Sequence, residues 1–142
     1  MKRDIINKKV NGILERLGLI KFKDRNPATL SGGEKRKLAI AGILAMDPEI
    51  IVFDEPFANL DHPSCLSILD IIADLSLNGH TIIMATHDVE TPIEYASRLL
   101  IMEDGYLRED GGIQDLVKKL GSYGVKEPCE CRIKEKPLPW QS

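Results

Sequence analysis

In EIIVFDEP, residues 49–56, an apolar run ends on two adjacent carboxylates, Asp54 and Glu55. As a buried strand, that run would put both acids at its C-terminal edge, where open α/β sheets bind ligands. Successive strand residues point in different directions, so the two acids can divide the work. Asp54 could hold Mg²⁺ directly or through water, and Glu55 could orient and deprotonate an attacking water. Taken alone, the pair serves equally well as two solvated acids at a strand end.

Upstream stands LSGGE, residues 30–34. Ser31 at an N-cap with Glu34 three residues on is a capping box, which satisfies two orphan backbone N–H groups. Any helix start could use it, yet two adjacent glycines weaken a helix and a cap does not explain them. Gly32 and Gly33 let a group approach the backbone closely, where N–H groups and the helix dipole favour an anion. Downstream, His87 follows a second apolar run, TIIMAT (81–86), at the sheet edge where Glu55 is placed. A lone histidine is more often structural than catalytic, but from that edge it could reach a terminal phosphate. The short polar loop FANLD (57–61) ends on Asp61.

These residues need elements to carry them. Ile6, Val10, Ile13, Leu14 and Leu17 fall at helical spacing, which predicts an amphipathic helix over 4–17 with Gly18 as its stop. A helix is expected at about 33–46 and a strand at 50–54. Pro63 suits the first turn of a helix running to about Leu77. A strand follows at 81–86, and a short helix should begin near Val89. RLLIMEDGYLRED (98–110) reads as two strands joined at Asp104-Gly105. A last helix is expected over 113–120. From Ser122 the chain is rich in proline and charge, the composition of a loosely ordered tail. Strands alternating with helices predict an α/β layer on a mainly parallel sheet.

The 142 residues amount to about one domain, with 43% hydrophobic and 29% charged residues, as in an ordinary globular protein. A net charge of −3 supplies no cationic field for nucleic acid or anionic lipid. No apolar run approaches the length of a membrane span, and no signal peptide is recognisable at the start. A cytoplasmic protein is therefore expected, free or docked on a membrane partner. Cys65 lies in a predicted helix as a small buried hydrophobe. Cys129 and Cys131 form a lone C-x-C with no second pair, so no metal site is expected there.

Together these phrases resemble the ATP-binding cassette (ABC) ATPases. LSGGE is similar to their signature motif, IIVFDEP to the Walker B strand, ANLD to the D-loop, and His87 to the switch histidine. Order and spacing fit, with the signature about twenty residues ahead of Walker B. LSGGEKRKLAIAGILAMDPEIIVFDEP most resembles the ATPases of cobalt, nickel and vitamin energy-coupling importers, and the resemblance covers roughly residues 4–120. It implies ATP and Mg²⁺ as cofactors, Asp54 as Mg²⁺ ligand, and Glu55 and His87 as catalytic residues. It also implies Asp61 at the nucleotide, and Ser31, Gly32 and Gly33 contacting the γ-phosphate on a partner's P-loop in trans. The implied partners are a second ABC ATPase subunit and a membrane permease, with no nucleic acid. If assembled, the chain would sit peripherally at the inner face of the cell membrane.

One family feature is missing from the sequence: no G-x-x-x-x-G-K-[ST] occurs. That loop supplies the backbone nest for phosphates, a lysine for the β/γ oxygens and a Mg²⁺-binding hydroxyl. The resemblance thus implies an incomplete P-loop NTPase core that lacks the N-terminal β-subdomain and the P-loop strand. The expected organisation is a helical-subdomain remnant (1–29), the signature-to-C-terminal part of the core (30–121) and a tail (122–142). In the family, the P-loop strand lies between the switch-histidine strand and the one corresponding to 98–103, so an open slot in the sheet is expected. A separately encoded N-terminal half could fill it, and a truncated product, inactive alone, is the other outcome. Two further readings remain open. A DNA-maintenance ATPase head of the structural-maintenance-of-chromosomes type shares the LSGGEK phrase, but no heptad coiled coil precedes Leu30 and no basic patch suits DNA. The third is a non-enzymatic remnant.

Overall fold

A computed structural model describes residues 3–129, which fall into two compact units, 3–85 and 86–129. The first unit runs helix α1 (Arg3–Arg16), helix α2 (Gly32–Leu44), strand β1 (Ile50–Asp54), helix α3 (His62–Leu77) and strand β2 (Thr81–Ala85). The second contains strands β3 (Arg98–Glu103) and β4 (Tyr106–Gly112), then the one-turn helix α4 (Ile113–Leu116).

Helix ends in the first unit are set by local chemistry. Beyond α1, Gly18 takes φ +67°, its N–H donates to Glu15 O and the Leu19 N–H donates to Leu14 O. This is a Schellman stop, sealed by contact-prone Leu14 and Leu19, both buried. The same pattern closes α3: Gly79 at φ +91° donates to Ser76 O, and the His80 N–H to Leu75 O. His80 then lies 2.7 Å through Nδ1 from Pro48 O, tying the approach to β2 to the approach to β1.

Strands β1 and β2 form a two-stranded parallel sheet in register, with Ile51 opposite Ile82 and Phe53 opposite Met84. Helix α1 packs on α2, α2 on α3, and α3 on β2. The core of this unit is Leu14, Leu17, Leu30, Ile40, Leu44, Ile51, Phe53, Ile68, Leu69, Ile72 and Leu75, all buried. Arg16 also reaches Asp74 on α3 at 2.6 Å. The opposite face of the sheet is apolar and open: Ile50 is 57% exposed, Val52 63% and Ile83 46%. An apolar parallel strand pair covered on one face only is unusual, because parallel sheets are normally buried on both.

In the second unit β3 and β4 are antiparallel, joined where Asp104 (φ +50°) and Gly105 (φ +79°) both enter the left-handed region. Two such residues in succession are the type I′ hairpin expected of an Asp-Gly pair. Val89, Ile93, Ile101, Val117 and Leu120 form its core.

Three expected elements differ. The strand read as 81–86 ends at Ala85. The helix expected near Val89 is only a 3₁₀ turn, Ile93–Tyr95. Pro92 explains this, since it lacks an N–H and drives Thr91 away from helical dihedrals. The helix read as 113–120 is α-helical only to Leu116 and continues as a 3₁₀ segment, Val117–Tyr123. A three-residue period lines up Val117, Leu120 and Tyr123 on the core, which the α period would not. The C-x-C motif and the tail lie mostly outside the described residues: Cys131 is beyond them, and Cys129 donates its N–H to Glu90 at 2.9 Å.

Candidate functional site

The N-terminus of α2, the end of β1 and the loop into α3 converge in the first unit. Ser31 caps α2: its hydroxyl accepts from the Glu34 N–H at 3.3 Å, while Glu34 Oε2 accepts from the Ser31 N–H at 2.8 Å. Both halves of the expected capping box are therefore formed. The Ser31 N–H, aided by its hydroxyl and by Lys21 and Arg25, holds the Glu34 carboxyl below the usual range.

Gly32 is exposed and Gly33 buried. A methyl built on Gly33 would stand 2.7 Å from Ser64 Oγ and 3.1 Å from Ser64 Cβ. The group that approaches this backbone inside the unit is thus the first turn of α3, giving the second glycine a packing role. At Gly32 the nearest atom is a methyl of Leu60 at 3.8 Å, an ordinary contact.

Asp54 ends β1 with its side chain exposed, and Glu55 follows half-buried. The Glu55 N–H donates to Ala85 O at 2.9 Å, so the carboxylate pair is pinned at the C-terminal edge of the β1–β2 pair. Glu55 takes φ +43° and Asn59 φ +60°, left-handed conformations uncommon for residues with a Cβ. Between them, Pro56 and Phe57 are buried and anchor the loop. Arg36, one turn into α2, reaches across this loop: its Nη2 donates to Ala58 O at 3.2 Å and to Glu55 O at 3.4 Å. Asp61 caps α3, accepting from the Ser64 N–H at 3.2 Å, with Pro63 in the first turn. Ser64, first by its hydroxyl and then by its N–H, draws Asp61 below the usual carboxylate range. Cys65 is half-buried, its thiol 3.9 Å from the carbonyls of Phe57 and Leu60.

His87 belongs to the second unit, exposed and two residues beyond β2. Its loop is held by the Asp88 N–H on Thr86 Oγ1 at 3.1 Å and by Thr91 Oγ1 on Asp88 Oδ2 at 2.7 Å. The structure therefore brings Ser31, Gly32, Gly33, Asp54, Glu55 and Asp61 into one unit and places His87 in the other. Arg36 and Ser64 escaped the sequence reading, because nothing local marks a contact made across some twenty or thirty residues of chain.

The donor set suits a Mg²⁺ carried in with a nucleotide. Asp54 offers one exposed hard-oxygen ligand, and Mg²⁺ commonly takes one or two carboxylates with phosphates and water completing its shell. Among the described residues no three His, Cys, Asp or Glu side chains converge as an all-protein cage would require.

Comparison with known proteins gives a consistent answer. The ABC transporter family profile matches residues 2–58, which include the LSGGE and EIIVFDEP phrases. A Pyrococcus horikoshii protein, named as an ABC transporter ATP-binding protein, is 40% identical over 129 residues, covering 90% of this chain and 50% of the relative. An energy-coupling factor transporter ATP-binding protein of Methanocaldococcus jannaschii is 41% identical, covering 78% of this chain and 40% of the relative. Among solved structures, cbiO1 from Clostridium perfringens, described as part of an ABC transporter complex, superposes with TM-score 0.75 at 31% identity. That match covers 86% of this chain and 51% of cbiO1. The ADP conformation of another ABC transporter's ATP-binding cassette gives TM-score 0.79 at 27% identity, covering 88% and 50%. The chain thus spans about half the length of the relatives it matches most fully. Profile, relatives and fold agree that the matched stretches are of ABC transporter ATPase type, with an energy-coupling factor transporter ATP-binding protein and cbiO1 among the similar proteins.

Proposed function

We propose that this chain supplies the signature helix and the catalytic carboxylates of an ATP-hydrolysing importer subunit, and that the phosphate-holding loop comes from another polypeptide segment. The observation that carries this reading is the placement of Asp54 and Glu55 at the C-terminal edge of β1–β2, in the same unit as the capped signature helix. Asp54 is assigned to Mg²⁺, Glu55 to orienting and deprotonating the attacking water, and His87 to the γ-phosphate. Ser31, Gly32 and Gly33 are assigned to a partner's nucleotide, with Asp61 beside the site. The energy-coupling and cobalt-type names among the relatives favour uptake of a metal ion or vitamin as the transport task.

The open face of Ile50, Val52 and Ile83 supports the requirement for a second segment. Three large aliphatic side chains on one face of a parallel pair have the character of an interior surface. A P-loop-bearing half that covered this face would both complete the layer and bring its phosphates to Asp54 and Glu55. No helix among the described residues is long and apolar enough to cross a membrane, so the membrane passage is assigned to a permease partner. The working location is the cytoplasmic face of the membrane.

The test is nucleotide binding and turnover with and without that second segment. Fluorescent ATP and Mg²⁺ should show no saturable binding to the chain alone. Adding a separate segment that carries a G-x-x-x-x-G-K-[ST] phosphate loop from an ABC ATPase should produce binding and hydrolysis. Micromolar binding by the chain alone, or no hydrolysis by the mixture, would overturn the reading.

A further inference from the structure

Glu55 sits in a backbone conformation that its neighbours must enforce. At φ +43° a glutamate is held in the left-handed region, and Asn59 four residues on is there too, at φ +60°. Such residues lie above their relaxed conformations and persist only where surrounding bonds over-determine them. The peptide on the N-terminal side of Glu55 is fixed by its N–H bond to Ala85 O in β2, at 2.9 Å. On the C-terminal side, the Glu55 carbonyl meets Arg36 Nη2 at 3.4 Å, and the same nitrogen meets Ala58 O at 3.2 Å.

From this geometry we propose that Arg36 is the positioning residue that holds the left-handed backbone at Glu55 and thereby aims its carboxylate. Three features support it. The two carbonyls belong to the two ends of one tight turn, since the Ala58 N–H donates to Glu55 O at 3.3 Å. One guanidinium nitrogen bridging both carbonyls links the same two ends a second time, from outside the turn. Arg36 is half-buried, so its charge-assisted bonds are less diluted by water than those of an exposed arginine. Finally, Arg36 is carried on a helix packed closely against α3 and its entry loop: Gly33 lets the first turn of α2 close onto Ser64, and Gly32 rests near Leu60. The arginine is thus a strut between the signature helix and the loop bearing the carboxylate.

The choice of residue follows from the geometry. Both contacts come from Nη2 alone, whose two N–H directions are fixed in the plane of a permanently charged guanidinium, whereas lysine presents a compact, strongly hydrated ammonium on a flexible stem. Lysine at this position would keep the charge but hold two carbonyls poorly, and glutamine would lose the charge as well. That Arg36 affects catalysis rests on the assignment of Glu55 as the base; that it fixes the backbone does not.

The experiment has two arms, run on Arg36→Lys and Arg36→Gln. In the first, amide hydrogen exchange is followed on the full chain by NMR. The Glu55, Ala58 and Leu60 amides should exchange at least about tenfold faster in Arg36→Gln, with a smaller rise in Arg36→Lys, while the Phe53 amide is unchanged. Equal exchange in all three proteins, or a uniform rise through β1 as well, would overturn the strut. In the second arm, each variant is combined with the same phosphate-loop segment. Arg36→Gln should lower kcat by about 10²-fold, the scale of a misplaced catalytic group, with KM within about twofold and Arg36→Lys in between. A raised KM with kcat intact would overturn the positioning of Glu55. If the unsubstituted mixture fails to turn over, the proposed function falls while the exchange arm still decides the strut. If Arg36→Gln fails to fold, Arg36→Lys alone decides both arms.

Discussion

Gly33 and Ser64 are in close contact: an alanine methyl at position 33 would lie 2.7 Å from the Ser64 hydroxyl oxygen and 3.1 Å from its Cβ, so one of them would have to shift. The first turn of the signature helix and the first turn of α3 therefore meet backbone against side chain. Glycine to alanine inside a helix ordinarily gains about 1 kcal/mol. Here the overlap opposes that gain, and forcing extra volume into a packed contact typically loses about 1–3 kcal/mol. Gly33→Ala should consequently destabilise the chain, and adding Ser64→Gly should recover most of the loss by removing both clashing atoms. Urea titration of the two variants checks this. A stabilised Gly33→Ala would mean that the helices separate freely.

Gly42, on the same helix, gives the opposite expectation. It is exposed, and a methyl built there meets nothing within 4 Å. With no clash to offset it, the helix-propensity gain of about 1 kcal/mol should appear in full. Gly42→Ala should raise Tm by about 3–5 °C for a domain of this size. Thermal melts followed by circular dichroism would decide it.

The contrast between these glycines marks where the sequence is readable. The capping box at Ser31 and Glu34 spans three residues, so its chemistry is written locally, and both of its bonds form. The apolar run ending at Asp54 and Glu55 and the Asp104-Gly105 turn are equally local signals, and each element lies where the pattern puts it. Asp61 caps α3 ahead of Pro63, a role that the Asp-His-Pro order suits and that the likeness of ANLD to a D-loop does not express. The helix expected at Val89 failed because Pro92 outweighs the apolar spacing around it. Contacts such as Arg36 with Ala58 and Gly33 with Ser64 have no periodicity or motif, since they depend on how two elements cross. The absent phosphate loop implied an open slot beside the TIIMAT strand, whereas the exposed face of Ile50, Val52 and Ile83 depends on which side the helices pack and had no sequence signal.

Both caps should make the first unit acid-sensitive. Glu34 is held below the usual carboxylate range chiefly by the Ser31 N–H, and Asp61 chiefly by the Ser64 hydroxyl. A carboxyl whose pKa is lower in the folded chain than in the unfolded one favours folding above its unfolded value. That contribution is lost as pH falls through the depressed folded value. Stability should therefore hold from neutral pH down to the ordinary carboxylate range and decline below it. Because both caps are exposed, the decline should be shallow and should weaken further in salt. Urea midpoints measured across that range should fall less steeply in Glu34→Gln, which has no carboxyl to titrate at the cap, than in the parent chain. An identical slope would show that the capping box does not contribute to the acid limb.

Glu55→Gln separates chemistry from binding. The amide keeps the size of the side chain but cannot take a proton from water, and the backbone bonds to Ala85 and Arg36 involve only main-chain atoms of residue 55. The loop should thus retain its shape, and the open apolar face that is proposed to meet the P-loop half is untouched. In the mixture with the phosphate-loop segment, nucleotide affinity should stay within about twofold while hydrolysis falls by about 10²–10⁴-fold, the usual contribution of a positioned general base. Asp54→Asn should behave differently. A Mg²⁺ ligand acts on the bound nucleotide as well as on its reaction, so both affinity and turnover should drop, and excess Mg²⁺ should restore part of the affinity. Equilibrium titration with fluorescent ATP beside single-turnover kinetics distinguishes the two. Unchanged turnover in Glu55→Gln would remove the base from this carboxylate, and indistinguishable profiles for the two variants would remove the division of labour between them.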